Sequence, residues 1–335
     1  MRVEMMQKSS DRKEMVVSVF MLCFNHERFI SRAIDSILAQ KVDFEYEIII
    51  GDDCSKDNSA QIIRSYCEKY PDKIFAVIRE QNLGSPGNTY DMMNRCCGKY
   101  IACLECDDFW TDTSKLQKQI EFLETHPKYS SCGHKTIVVD EFGKEVGLLH
   151  PELPGNRGYS KQEVFEQGSK FLHPSSLVYR NFIRGSEGRY DIIAHSNRLG
   201  THYVTILILA GLSDIYVFPD RMSAWRKIVS DSGNNYTSMT VNKSYEVKKN
   251  NLEMFYNFRK YFKNEYNFDV AVRTAYADVL HQIRKENFDT PIKQKYLKEC
   301  KEYLNETDKW FVLIYTVRLI MGKVTKKIKK MIGCS

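Results

Sequence analysis

Three carboxylates stand within four residues at Glu105-Cys106-Asp107-Asp108. Like charges so close repel one another, and the cluster costs stability unless a cation or hydrogen-bond donors balance it. Oxygen-only ligands suit a hard divalent cation, Mn²⁺ or Mg²⁺, with phosphate oxygens completing its shell. A solvated acidic turn is the plainer explanation, but the cluster ends an apolar run from Tyr100 to Leu104, which favours the cation. A second acidic pair, Asp52-Asp53, follows the run FEYEIII. A carboxylate there can accept hydrogen bonds from a base N–H or a ribose hydroxyl, or cap the next helix. The stretch DDCSKDNS lacks the central glycine and the terminal glutamate of a calcium loop.

Other chemistries lack their residues. There is no G-x-x-x-x-G-K-[ST], no G-x-G-x-x-G after the first strand and no G-x-S-x-G. What remains is a nucleotide site built from carboxylates and a metal. Among the ten cysteines, Cys103 and Cys106 have C-x-x-C form. No second such pair stands at zinc-finger spacing, so these thiols read as small buried hydrophobes rather than a zinc or redox site.

The elements that must position these groups follow from periodicity. Apolar runs predict strands at 16–23, 44–50, 74–78 and 100–104. Helical spacing fills the intervals at 27–40, 59–70 and 89–97, with a loop at 82–87 and a further helix at 115–123. This alternation predicts an α/β fold, a mostly parallel sheet with helices on both faces. Ligands of such sheets sit at the carboxyl ends of the strands, where Asn25, Asp52-Asp53 and Glu105/Asp107/Asp108 would meet. Later segments read as strands at 136–139, 176–179 and 215–218, and as a buried helix at 203–212. Past about Asn234 the composition turns to Lys, Asn, Tyr and Glu with helical periodicity. The expected domains are 1–235, catalytic, and 236–335, a helical C-terminal appendage.

The chain of 335 residues carries a net charge of +6 and 12% aromatic residues, ample for a core. The basic excess gathers at Lys323–Lys330 rather than in the stripe of a nucleic-acid binder. The N-terminus has no signal-peptide pattern, and no window reaches the ~18 apolar residues of a spanning helix. A cytoplasmic protein is expected. Apolar residues 310–322, followed by KVTKKIKK, suit a helix on an anionic membrane surface, which would make it peripheral on the inner face.

Six ordered motifs resemble the family-2 inverting glycosyltransferases of GT-A (Rossmann-like) fold. They are Ser18–Asn25, Ala33–Gln40, Asp52–Ser59, Asn82-Leu-Gly84, Gly98–Ile101 and Glu105–Trp110. The stretch Thr111–Gln119 resembles the subset found in bacterial surface-polysaccharide clusters. The resemblance is traceable to about Arg226 through His173-Pro-Ser-Ser176 and Met222–Arg226. It implies a nucleotide-sugar donor, usually UDP-linked, a saccharide or lipid-linked saccharide acceptor, and inversion at the sugar. Phe24 would stack on or flank the donor base, with Cys23 and Asn25 lining it and Asp53 holding base or ribose. Asp107 and Asp108 would bind the metal and ribose, with Glu105 in support.

The family places an acidic general base just before the late buried helix. Here that position is Thr201. His202 is the nearest residue able to act as base at neutral pH, and Asp191 is the second candidate. His173 would sit near the acceptor. Trp110 and Trp225 would form a sugar-stacking wall or pack in the core, and Arg226 would meet a donor phosphate or an acidic neighbour. The departure at Thr201 keeps a rival alive: a non-catalytic, nucleotide-sugar-binding scaffold of the same fold. A nucleotidyltransferase would need a Gly-rich basic loop where this chain has CFNHERF.

Overall fold

A computed structural model describes residues 15–167, 171–186, 188–197, 201–228, 244–262, 267–286 and 288–305, together with 308 and 310. The chain divides into two compact units, Met1–Met239 and Thr240–Ser335.

The first unit opens with the alternation read from the sequence. Its elements are β1 (Val17–Cys23), α1 (Ile30–Leu38), β2 (Tyr46–Asp52), α2 (Ser59–Lys69), β3 (Ile74–Ile78), α3 (Gly84–Arg95) and β4 (Tyr100–Glu105). Strands β3-β2-β1-β4 lie side by side, all parallel. Both faces of β1 and β2 are covered, which is why these strands read as unbroken apolar runs. Ile30, Ala33, Ile34 and Ile37 of α1 pack into the core with Val19, Met21, Ile48, Ile50 and Leu104. Helix α3 begins at Gly84, inside the stretch read as a loop. Pro86 sits in its first turn, where a missing backbone N–H leaves no bond unmade. Gly98 has a steric reason: a Cβ there would lie 2.6 Å from the backbone nitrogen of Ser18.

The sheet then extends through β5 (Phe109–Trp110), α4 (Lys115–Thr125), β6 (Tyr129–Val139), β7 (Glu145–Leu148), β8 (Arg157–Tyr159) and α5 (Lys161–Gln167). A 3-10 turn at Pro174–Ser176, β9 (Val178–Arg180), α6 (Ile192–His195), α7 (His202–Leu212) and β10 (Asp214–Arg226) complete the unit. The ten strands make one sheet in the order β3-β2-β1-β4-β9-β6-β10-β5, with β7 on β6 and β8 on β10. Strand β9 is antiparallel to both β4 and β6, whereas β6 and β10 are parallel. The short strand expected at 215–218 is the start of thirteen-residue β10. Pro219 interrupts its apolar pattern, and the register shifts between Phe218 and Arg221 before pairing resumes.

The second unit contains α8 (Ser244–Tyr261), α9 (Asp269–Lys285) and α10 (Thr290–Lys301) around Leu252, Val272, Tyr276, Val279 and Cys300. Buried Asp308 is clamped by Arg259 at 2.5 Å and Arg273 at 2.7 Å. Among the described residues no helix is long and apolar enough to cross a membrane. The apolar and basic tail read as a membrane-surface helix lies, beyond Trp310, outside the described residues.

Candidate active site

The carboxyl ends of β2, β1 and β4 bring the three polar groups together. Cys23 is in register with Asp52, and Leu22 with Glu105. The ladder continues past both ends, through Asp53 N–H to Cys23 O at 2.9 Å and Cys106 N–H to Leu22 O at 3.4 Å. Asp53 and the Glu105–Asp108 turn therefore flank the end of β1 from either side.

Asn25 makes the turn out of β1 in the left-handed region, at φ 60. Asn tolerates that conformation better than most residues. Its backbone N–H donates to Ser55 Oγ at 2.9 Å, and its Oδ1 accepts from Lys56 N–H at 2.7 Å. The β1 and β2 turns thus hold one another. Asp52 receives the Ser55 hydroxyl and backbone N–H, which shapes the second turn. Buried Asp53 accepts from Leu83 N–H at 2.8 Å and faces Arg79 Nε at 3.8 Å, while Asn82 Nδ2 donates to its carbonyl at 2.9 Å. Its Oδ1 is thereby engaged with the loop before α3, and Oδ2 is the oxygen it has left for a ligand.

Asp108 is the most enclosed of the three carboxylates, with no exposed side-chain surface. Its Oδ1 accepts from Arg226 N–H at 2.9 Å and its Oδ2 from Ser175 Oγ–H at 2.6 Å. Burial first, then Asp107 and Glu105, push it well above the ordinary carboxylate range. His173, from the 3-10 turn, lies between acids: Nε2 is 3.5 Å from Glu105 Oε2 and Nδ1 is 3.4 Å from Asp108 Oδ2. Since Nδ1 accepts from Ser175 N–H, the neutral ring carries its proton on Nε2, toward Glu105. Burial, with His202 and His150 nearby, brings His173 down to about 3. Glu105 is raised by burial and by Asp107, although its side chain is 38% exposed. Asp107 is half-buried, and its carboxylate makes no hydrogen bond among the described residues.

Ligand atoms of Glu105, Asp108 and His173 lie within 4.8 Å of one another, a grouping able to hold a metal ion. His173 thus joins the acidic cluster, a role its isolated sequence position did not reveal. Asp107 is in neither such group, yet its carboxylate lies near enough to His26 to favour that ring's charge. Asp108 Oδ2 and His173 Nδ1 face each other across 3.4 Å, a contact that a proton on Asp108 or a bound cation satisfies.

His202 starts α7, half-buried, and is near enough to His173 to oppose its protonation. Burial and His150 bring His202 down to about 4, so it is neutral at pH 7. Asp191 sits exposed before α6, which packs on α3; nothing among the described residues links it to the carboxylates. Thr201, where an acid was expected, is buried and shares a 2.9 Å hydrogen bond with Thr89. Trp110 is core, its Nε1–H on Ser175 O at 2.9 Å, and the ring of Trp225 lies 6.0 Å from that of His173. Arg226 is a brace: Nε donates to Asp107 O at 2.9 Å and Nη1 to Glu141 O at 2.9 Å.

The C-x-x-C reading also resolves here. Cys103 and Cys106 are both buried, but ligand atoms of Cys106 group with those of Cys23 and His26, not Cys103. The Cys106 thiol, then His26, draw Cys23 down to about 6 against the opposing effect of burial. Burial disfavours a charged His26, but Asp107, Cys23 and Glu105 outweigh it and raise the ring to about 9.

The sequence profile of Glycosyl transferase family 2 matches residues 18–184, the span that holds Asp53 and the Glu105–Asp108 turn. An uncharacterised protein of Mycobacterium tuberculosis is 31% identical over 211 residues, covering 63% of this chain and 58% of its own length. The chain thus spans little more than half of that relative. The poly(ribitol-phosphate) beta-glucosyltransferase of Bacillus spizizenii is 35% identical over 179 residues, covering 50% of this chain and 26% of its own. Residues 1–349 of S. aureus TarS, solved with UDP-GlcNAc, superpose with a TM-score of 0.53 at 18% identity, covering 79% of this chain and 80% of that one. The fold is that of the GT-A glycosyltransferases, and the chain belongs to glycosyltransferase family 2.

Proposed function

We propose that this protein transfers a sugar from a nucleotide-sugar to an acceptor hydroxyl, with inversion and with Mn²⁺ or Mg²⁺, in the synthesis of a surface polysaccharide or glycolipid. The observation that carries this reading is the meeting of Asp53, Asn25 and Glu105–Asp108 at one edge of the parallel sheet. Asp53 Oδ2 would hold base or ribose, and half-buried Phe24, with Cys23 and Asn25, would line the base. The UDP-GlcNAc bound to TarS supports a UDP-linked donor. The poly(ribitol-phosphate) acceptor in the name of the Bacillus relative supports a surface-polymer acceptor, free or lipid-linked.

The donor set fits a hard cation. Asp107 and Asp108 would hold it, Asp108 through the lone pairs that Ser175 and Arg226 leave unused, with Glu105 in support and His173 donating its Nε2–H toward Glu105. A bound divalent ion supplies charge neutralisation for a departing diphosphate. The protein's own groups orient the reactants: Arg226 and Ser175 fix the acidic turn, and Trp225 offers a ring face beside His173. A neutral imidazole can accept the acceptor's proton, and His202 is our choice for that base, ahead of Asp191. Location at the inner face of the cell membrane, through the basic tail, is part of the same reading.

Thr201 favours one alternative. Its hydrogen bond to Thr89 gives the position a packing role, as in a relative that binds donor without transferring sugar. The test is nucleotide release from a panel of nucleotide-sugars, with and without Mn²⁺ and saccharide acceptors. Transfer that disappears in Asp107→Asn supports the enzyme. Donor binding without turnover under every condition supports the scaffold and removes our reading.

A further inference from the structure

We propose that Cys23, His26 and Cys106 form a second cation site, one that takes a borderline-soft metal such as Zn²⁺ and is separate from the hard-cation carboxylates. Parallel pairing of β1 with β4 sets Cys23 beside Cys106, since their preceding residues, Leu22 and Glu105, are in register. Both thiols are closed off, at 1% and 0% exposure. The left-handed turn at Asn25 folds the chain back, and the His26 backbone N–H donates to Ser59 Oγ at 2.9 Å, which anchors the backbone that carries the ring.

The two sulfurs and a ring nitrogen of His26 all lie within 4.8 Å of one another. Tetrahedral Zn²⁺, with bonds of about 2.3 Å to sulfur and 2.0–2.1 Å to nitrogen, requires ligand separations of roughly 3.5–3.8 Å. A small inward movement of three side chains supplies that. His26 Nδ1 is buried and has no hydrogen-bond partner among the described residues; a metal that displaces the ring's proton would give it one. Two thiols and an imidazole select Zn²⁺ over Mg²⁺ or Mn²⁺, whereas the oxygen set beside them has the opposite preference. A fourth position stays open for water. Because the turn that carries His26 also carries Phe24 and Asn25, an ion held here would stiffen the wall assigned to the donor base. The site stands independently of sugar transfer.

The full chain, metal-stripped and reduced with a phosphine, is titrated with Co²⁺ and then Zn²⁺. The expected result is one equivalent of thiolate-to-cobalt charge-transfer absorption, displaced by Zn²⁺. Cys23→Ser, Cys106→Ser and His26→Gln should each weaken Zn²⁺ binding at least tenfold, scored against a chromophoric chelator. Cys103→Ser should leave it intact. Circular dichroism checks each variant, and His26→Gln, at the surface end of the cluster, serves if a thiol variant fails to fold. The proposal is overturned if the wild-type chain shows no such band at one equivalent. It is equally overturned if the band survives Cys106→Ser or is lost in Cys103→Ser.

Discussion

Lys115 permits a quantitative test of how the floor beneath the carboxylates is built. Its side chain is fully buried, its Nζ makes no hydrogen bond among the described residues, and it lies 4.1 Å from the centroid of the Trp110 ring. Trp110 holds Ser175, which in turn holds Asp108. Burial lowers Lys115 from 10.5 to about 7; Cys132 and Cys103 oppose this only partly, and neighbouring His134 is itself held neutral. Below pH 7 the ammonium is charged in both states and the native state bears the full cost. Between about pH 7 and 10.5 the unfolded chain binds a proton that the native chain does not, so stability rises with pH. The slope for one group is ~1.4 kcal/mol per pH unit. The difference between wild type and Lys115→Met should therefore change by about 2–3 kcal/mol from pH 7.5 to 9.5, in favour of wild type as pH rises. Thiol ionisation is common to both chains and cancels. Urea unfolding followed by tryptophan fluorescence measures it, in a Trp310→Phe background so that the signal comes from Trp110 and Trp225. Parallel pH profiles would show that Lys115 keeps its proton in the folded protein, and the account of this floor would fail.

The acidic turn should separate by function. Asp107→Asn should lower transfer by roughly 10²–10³-fold with little change in melting temperature. Asp108→Ala should cost about 1–3 kcal/mol, because Arg226 N–H and Ser175 Oγ–H would lose their buried acceptor; a melting point equal to wild type contradicts this. His202→Gln should reduce kcat by about 10²–10⁴-fold, whereas Thr201→Val should keep most of it; the reverse pattern, measured by steady-state kinetics, would remove His202 as base. Gly98→Ala should destabilise by about 1–3 kcal/mol, read from denaturant midpoints, because its Cβ would strike the β1 backbone.

Much of this architecture was readable before any coordinates. The first four strands announced themselves because a strand covered on both faces must be apolar throughout, and the acids at their ends could face only one edge. The rest was hidden for definable reasons. Strand β6 begins Tyr129-Ser-Ser-Cys-Gly, polar and small, yet it is buried because Leu172 and the 3-10 turn close over it. Two-residue β5 is too short to have a period, and β10 continues through a proline that normally ends a strand. His173 was expected near the acceptor, and nothing nearby in the chain foretold Glu105 and Asp108 as its neighbours.

The chain alone determined the kind of groups on offer: carboxylates able to hold a hard cation, at the ends of parallel strands, with no phosphate loop and no acid at Thr201. Residue type and local period are properties of neighbouring positions, so a sequence expresses them directly. Which groups meet was decided by the tertiary structure. Strand register paired Cys106 with Cys23 rather than Cys103, and Asp108 was spent on Ser175 and Arg226 while the Asp107 carboxylate accepts no hydrogen bond among the described residues. Those partners lie 67 to 118 residues apart. Contacts across such distances arise from the packing of whole strands, and no local pattern encodes them.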